Sequence, residues 1–217
     1  LSVVSDTWDF WAVIRDVLPA LKERIMARAG CLVIRPDSGD PNLILNGSPN
    51  ATDPLEKKGL IQCLWDIFGG TTNEYGVRTL DPHIGAIYGD SITLDRQKQI
   101  LDGLRENKFS PASVVLGIGS YTYQYVTRDT FGFAIKATYA KINGVPTPLF
   151  KDPKTDNGVK KSAKGLIFLG NNSMEENVTW ERFSSDENRL APVFTDGVLE
   201  AEWDWEHIRT IARNDIF

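Results

Sequence analysis

The sequence predicts an α/β fold: about half of an α/β barrel with parallel strands, followed by a β-rich C-terminal appendage and a terminal helix. Three observations predict it. Short apolar, β-branched runs end abruptly in glycine or charge after Val4, Ile34, Tyr88 and Gly117, as strands buried on both faces of a parallel sheet do. Every interval between those endings leaves room for a helix, which a right-handed parallel crossover requires. From Lys136 onward the pattern changes to brief runs broken by Gly, Asn and Pro. The expected division is therefore 1–135 for the barrel portion and 136–217 for the appendage.

The elements follow in order. After the first strand end, Trp8, Trp11, Ile14, Val17, Leu18, Leu21 and Ile25 recur in steps of three and four across 7–29. That spacing describes one face of a helix, bent or interrupted at Pro19. Gly30 closes it before a strand over Cys31–Ile34. Residues 40–53 are rich in Pro, Asn, Gly and Ser and read as a loop. A helix over 54–68 turns Leu55, Leu60, Ile61, Leu64, Trp65 and Phe68 inward and stops at Gly69-Gly70. A strand over Ile84–Tyr88, a helix over 93–107, a strand over 114–117 and a helix near 121–131 complete the barrel portion. In the appendage, strands are expected over 137–142, 147–150, 166–169, 177–183 and 191–194. A last helix over 199–214 has Trp203, Trp205, Ile208 and Ile211 partly inward.

Composition narrows the function. The 217 residues are 41% apolar and 24% charged, enough for one substantial core. A net charge of −5 argues against a nucleic-acid face, which needs a basic excess, but leaves room for a local phosphate cluster. Cys31 and Cys63 are too few for a disulfide framework and read as buried thiols in a reducing cytoplasm. No apolar run approaches a membrane span. The chain starts at Leu1 within an expected strand and without Met, which reads as a truncated chain. Half a barrel exposes sheet edges, so a missing half or a partner is expected to cover them.

In parallel α/β folds, ligands sit at the carboxyl ends of strands. Asp6, Arg35, Asp37, Asp90 and Gly119 are thus expected on one rim. Each has a plain alternative. Asp6 could be a helix N-cap, Arg35 and Asp37 a loop-stapling ion pair, and Gly89-Asp90 an ordinary turn. Gly117, Gly119 and Ser120 precede an expected helix whose N–H groups could receive a phosphate. The basic run Lys160, Lys161, Lys164 reads as exposed loop, His83 as a loop residue and His207 as a helix-surface residue.

The ordered set of segments resembles the nicotinamide phosphoribosyltransferase family of type II phosphoribosyltransferases. The matching pieces are Ser-Val-Val-Ser-Asp at 2–6, Ile-Arg-Pro-Asp-Ser-Gly at 34–39, Gly-Asp at 89–90 and Gly-x-Gly at 117–119. Thr-Arg-Asp at 127–129, Lys136, Asn-Gly at 143–144 and Phe-Lys-Asp-Pro at 150–153 follow. The resemblance covers most of the chain to about residue 170 and implies the C-terminal part of such an enzyme.

What the resemblance implies is specific. Nicotinamide and phosphoribosyl pyrophosphate would give nicotinamide mononucleotide and diphosphate in NAD salvage. Asp37 and Asp6 would act catalytically and hold Mg²⁺, a hard ion that keeps waters beside one or two carboxylates. Arg35 would face the pyridine ring and phosphate; Gly89 and Asp90 the ribose; Gly119 and Ser120 a phosphate, although the family has glycine where Ser120 stands. Arg128 and Lys136 would reach into the site of a neighbouring subunit across a homodimer. ATP would be a coupled substrate, but neither His83 nor His207 matches the histidine that the family phosphorylates. That histidine and the base-sandwiching and amide-selecting groups would belong to the rest of the enzyme, so nicotinate or quinolinate activity stays open. So do a phosphate-binding or assembly fragment inactive alone and a plain α/β-barrel lyase or isomerase.

Overall fold

The structure is a computed structural model and describes residues 1–89, 91–119, 124–126, 130, 133–155 and 160–214. Two compact units are present: Leu1–Lys136 with Phe150–Ser162, and Ala137–Leu149 with Ala163–Phe217.

The first unit is built on a four-stranded parallel sheet. β1 (Ser2–Val4), β2 (Leu32–Arg35), β5 (Ile84–Tyr88) and β6 (Val114–Leu116) lie in the order β1-β2-β5-β6. All carboxyl ends therefore point to one rim. The β1-to-β2 crossover contains α1 (Phe10–Ala12), a π-helical turn (Val13–Val17) and α2 (Leu18–Met26). The interruption expected at Pro19 takes this form. Pro19 lacks an N–H and crowds the preceding turn, and Leu18 N–H reaches back five residues to Val13 O, the widened turn of a π-bulge. The helix begins at Asp9, whose side chain accepts from Ala12 N–H, so Asp9 rather than Asp6 is the N-cap.

Between β2 and β5 lie α3 (Pro41–Asn46), α4 (Pro54–Lys58), α5 (Leu60–Phe68) and a hairpin of β3 (Gly70–Thr72) with β4 (Arg78–Leu80). The loop expected over 40–53 thus contains a helix. Asp40 caps it by accepting from the N–H groups of Asn42 and Leu43, and Pro41 opens its first turn, where proline's missing N–H costs nothing. The single helix expected over 54–68 is two. They part at Gly59 (φ +79, ψ 162), a conformation essentially restricted to glycine. A β-carbon there would lie 2.3 Å from Gly47 N, so close backbone packing against the end of α3 forces the break.

α6 (Leu94–Glu106), capped by the Thr93 hydroxyl, connects β5 to β6. One core joins helices and sheet: Phe10, Ile14, Leu18, Leu45, Leu60, Leu64, Tyr88, Ile100 and Leu104 are buried. Burial of each large aliphatic side chain stabilises the fold by roughly 1.5–3 kcal/mol. Cys63 is buried as expected, whereas Cys31 is partly exposed; both thiols are free. The helix expected near 121–131 lies largely outside the described residues.

The second unit is a set of two-stranded ladders: β7 (Tyr139–Ile142) with β8 (Val145–Pro148), β9 (Phe168–Leu169) with β10 (Met174–Glu175), and β11 (Phe194–Thr195) with β12 (Val198–Leu199). Asn143 and Gly144 join the first pair with φ of 51° and 83°, as a two-residue primed turn requires. The strand expected over 177–183 is instead α7 (Trp180–Phe183), because the Thr179 side chain accepts from Arg182 N–H and starts a helix. The final helix is α8 (Trp205–Asn214). Trp203, Trp205, Ile208 and Ile211 are exposed rather than inward.

Candidate functional site

The rim of the parallel sheet gathers side chains from the ends of β1 and β2 and from Lys151, Thr155 and Lys160. Ser5 N–H donates to Arg35 O at 3.0 Å, carrying the β1–β2 ladder one residue further and setting Asp6 over the end of β2. Asp6 is fully buried. Its Oδ2 accepts from Asp37 N–H at 2.9 Å and from the Ser38 hydroxyl. Its Oδ1 is buried with no hydrogen-bond partner among the described residues. A buried acceptor left in that state is costly, so this oxygen is poised for a donor or a cation.

Asp37 stands just beyond. Arg35 Nη2 lies 3.4 Å from its Oδ1, Lys160 Nζ 3.6 Å and Lys151 Nζ 3.9 Å from its Oδ2. Lys160 Nζ also donates to Asp37 O. Three cations thus face one half-buried carboxylate, and Arg35 Nε is a buried donor without a partner among the described residues. The turn after Asp37 is fastened from a second direction, since Tyr88 Oη donates to Gly39 O at 2.9 Å.

The ends of β5 and β6 touch backbone to backbone. A β-carbon on Gly117 would lie 2.9 Å from Gly89 Cα, and one on Gly89 would lie 4.0 Å from Arg35 Nη2. Gly117 N–H donates to Tyr88 O at 2.8 Å. By contrast, a β-carbon on Gly119 would meet nothing within 4 Å among the described residues. A carboxylate amid ammonium and guanidinium groups beside glycine backbone suits a ligand that carries hydroxyls and phosphates together.

The model of the nicotinate phosphoribosyltransferase (NAPRTase) family matches residues 2–192. The chain belongs to this family. It is 46% identical over 219 residues to the nicotinamide phosphoribosyltransferase of Acinetobacter baylyi, a match covering 96% of this chain and 43% of that protein. It is 38% identical over 157 residues to the protein of the same name from Mycoplasma pneumoniae, covering 72% and 35%. With that of Xanthomonas campestris pv. campestris it shares 31% identity over 221 residues, covering 98% and 44%. The chain spans less than half the length of these relatives.

Of the residues singled out from sequence, the rim brings together Asp6, Arg35, Asp37 and Gly89, with Gly119 two positions beyond β6's contact with Gly89. Lys136 is exposed. Asp90, Ser120 and Arg128 lie outside the described residues. Sequence reasoning missed Lys151 and Lys160. Lys151 sits in the Phe-Lys-Asp-Pro segment that carries the family likeness, and that was its available signal. The Lys160 run read as exposed loop; its neighbour Lys161 is indeed 63% exposed, but Lys160 is only 19% exposed and faces Asp37. His83 pairs with Asp81 through Nδ1 at 2.7 Å, in the loop before β5. Among the described residues no three His, Cys, Asp or Glu side chains are grouped to hold a metal, and no helix is long and apolar enough to cross a membrane.

Proposed function

We propose that the enzyme of which this chain forms part joins nicotinamide to phosphoribosyl pyrophosphate, giving nicotinamide mononucleotide and diphosphate in NAD salvage. This chain supplies the sugar-phosphate side of the site. The observation that carries the reading is Asp37, held at the sheet rim among Arg35, Lys151 and Lys160. The curated relatives bear the matching name.

In the reaction the ring nitrogen forms a bond to the ribosyl carbon as the bond from that carbon to the diphosphate oxygen breaks. Asp37 accepts hydrogen bonds from ribose hydroxyls and steadies positive charge developing on the sugar. Gly89 lets the backbone approach the ribose, with Asp90 as a further hydroxyl acceptor. Lys151 and Lys160 exchange Asp37 for the departing diphosphate, whose charge grows as the bond breaks; such preset electrostatic stabilisation is the main rate device. Arg35 turns its fork and its Nε, which has no partner among the described residues, toward the base and phosphate. Gly119 and Ser120 offer backbone N–H groups to the phosphate that remains on the nucleotide. Arg128 and Lys136 serve a neighbouring subunit's site in a homodimer.

The same reading assigns Mg²⁺ to this rim: Asp6, whose Oδ1 has no hydrogen-bond partner among the described residues, and Asp37 would be the one or two carboxylates that hold the ion beside waters and phosphate oxygens. When bound it would neutralise diphosphate charge. ATP is a coupled substrate of the whole enzyme, with no residue of this chain assigned to it. The sheet is half of an α/β barrel, and the setting is the cytoplasm.

The test is product formation by the full-length enzyme with phosphoribosyl pyrophosphate, Mg²⁺ and nicotinamide, nicotinate or quinolinate in turn. Nicotinamide mononucleotide alone is expected, and Asp37→Asn should abolish it. Turnover of nicotinate or quinolinate instead would install the sister activity. The 217 residues alone should give no product, as an inactive fragment would.

A further inference from the structure

We propose that Ser38 and Thr155 form a latch that fixes the 150–155 segment to the strand ends and so positions Lys151 beside Asp37. The effect on ligand binding rests on the reading of the rim as a phosphate site; the latch itself does not.

The proton count gives the latch its direction. Ser38 is buried, and its hydroxyl donates to Asp6 Oδ2. A serine has one hydroxyl proton. Toward Thr155 Oγ1, 2.6 Å away, Ser38 can only accept, so Thr155 donates. A chain of two donors therefore runs from Thr155 through Ser38 into a buried carboxylate. Hydrogen bonds linked in series in this way polarise one another.

The same oxygen accepts Asp37 N–H. Asp37 and the 150–155 segment are thus referenced to one atom. Other bonds of the segment go two ways. Asp152 N–H to Thr7 O at 3.1 Å, Lys154 N–H to Trp8 O at 2.8 Å, and Lys154 Nζ to Asp9 hold it along the loop between β1 and α1. Lys151 N–H donates to Ser162 Oγ at 2.8 Å and Lys151 O accepts from Ser162 N–H at 2.9 Å, and Lys160, two residues before Ser162, donates to Asp37 O. That tie runs to Asp37 through a long side chain, whereas the Thr155–Ser38 link ends on the oxygen that holds the Asp37 N–H. Registration matters for Lys151, whose Nζ stands 3.9 Å from Asp37 Oδ2, too far for a hydrogen bond that could fix it directly. Its backbone must do so. Gly39 completes the fit: with φ +87 it brings its α-carbon so near the segment that a β-carbon would lie 3.0 Å from Thr155 O.

Neither hydroxyl contacts substrate on this account, so both are positioning residues. The test compares Thr155→Val, which keeps the shape and removes the donor, with Thr155→Ser, which keeps the donor, and with Ser38→Ala, all in the full chain. Two readouts are taken: amide hydrogen exchange at Asp152 and Lys154, and calorimetric affinity for inorganic diphosphate. Thr155→Val should speed exchange and weaken diphosphate by about fivefold each, the equilibrium factor of one hydrogen bond, with Thr155→Ser within about twofold of wild type. Wild-type behaviour of Thr155→Val in both readouts would overturn the latch. So would equal damage by Thr155→Ser, which would assign the effect to the lost methyl group. Faster exchange with unchanged diphosphate affinity would overturn the positioning of Lys151. Should Ser38→Ala not fold, the two Thr155 variants decide alone. If the wild-type chain binds no diphosphate, the phosphate reading of the rim fails, and the exchange data still judge the latch.

Discussion

Gly117→Ala is the most exacting perturbation of the rim, because backbone atoms leave it no escape. The added methyl carbon would lie 2.9 Å from Gly89 Cα, whereas unbonded carbons rest about 3.5–4.0 Å apart. The deficit is about 0.6–1 Å, and no rotamer can absorb it. The ends of β5 and β6 must part, straining the 2.8 Å bond from Gly117 N–H to Tyr88 O. Overpacking of this kind costs about 1–3 kcal/mol. It also moves Gly89 relative to the Arg35 guanidinium, and a misplacement of about 1 Å near reacting groups can cost about a hundredfold in rate. Gly119→Ala is the internal control, since its methyl group would meet nothing within 4 Å among the described residues and should change stability by about 0.5 kcal/mol or less. Urea unfolding of both variants, compared at constant slope, with turnover of the full-length enzyme, provides the measurement. An unmoved midpoint for Gly117→Ala, or an equal shift for both variants, would refute the packing argument.

Lys151→Ala and Lys160→Ala should each weaken diphosphate binding about tenfold, the worth of one charge-assisted bond, while Lys161→Ala, exposed and paired with Asp152, should leave the isotherm unchanged; calorimetry separates the three. Burial pushes the Cys63 thiol up to about 12, so at pH 8 it should resist iodoacetamide in the folded chain and react only after unfolding, as read by peptide mass. The bond from Lys154 chiefly holds the Asp9 carboxyl below its ordinary value of 3.8. Because the folded-state value is the lowered one, the pair's contribution is complete above about pH 4 and is lost as pH falls through the folded value. Exchange at the Lys154 amide should therefore quicken only in acid, and equal protection from pH 6 down to about pH 2 would contradict it.

Local signals made much of this fold legible. The helix expected over 93–107 occupies Leu94–Glu106, because Thr93 is a side-chain cap and Ile100 and Leu104 share one buried face. The strand over Ile84–Tyr88 is found at the same residues. What escaped depends on distant partners. α3 is only six residues long, too short to display a period, and its Pro and Asn content resembles a loop. The break at Gly59 exists because the end of α3 packs against it, which the linear pattern of apolar residues between 54 and 68 does not register. At the rim, Asp6, Arg35 and Asp37 could be singled out because strand ends mark them. Lys160 could not: within a basic run, only the folded path distinguishes the side chain facing Asp37 from Lys161 beside it.

The turn bearing Asp37 is anchored by Asp6 beneath it, by Tyr88 from the neighbouring strand and by Thr155 through Ser38. On the proposed reading, a ligand arriving at Asp37 would meet a turn whose main chain is already tied down, so little of its affinity would go into ordering residues 37–39. Adaptation would fall instead to the long ammonium arms of Lys151 and Lys160, which can trade one anionic neighbour for another without disturbing the peptide path of that turn. Docking and departure would then be a swap of counter-charges over a stationary floor.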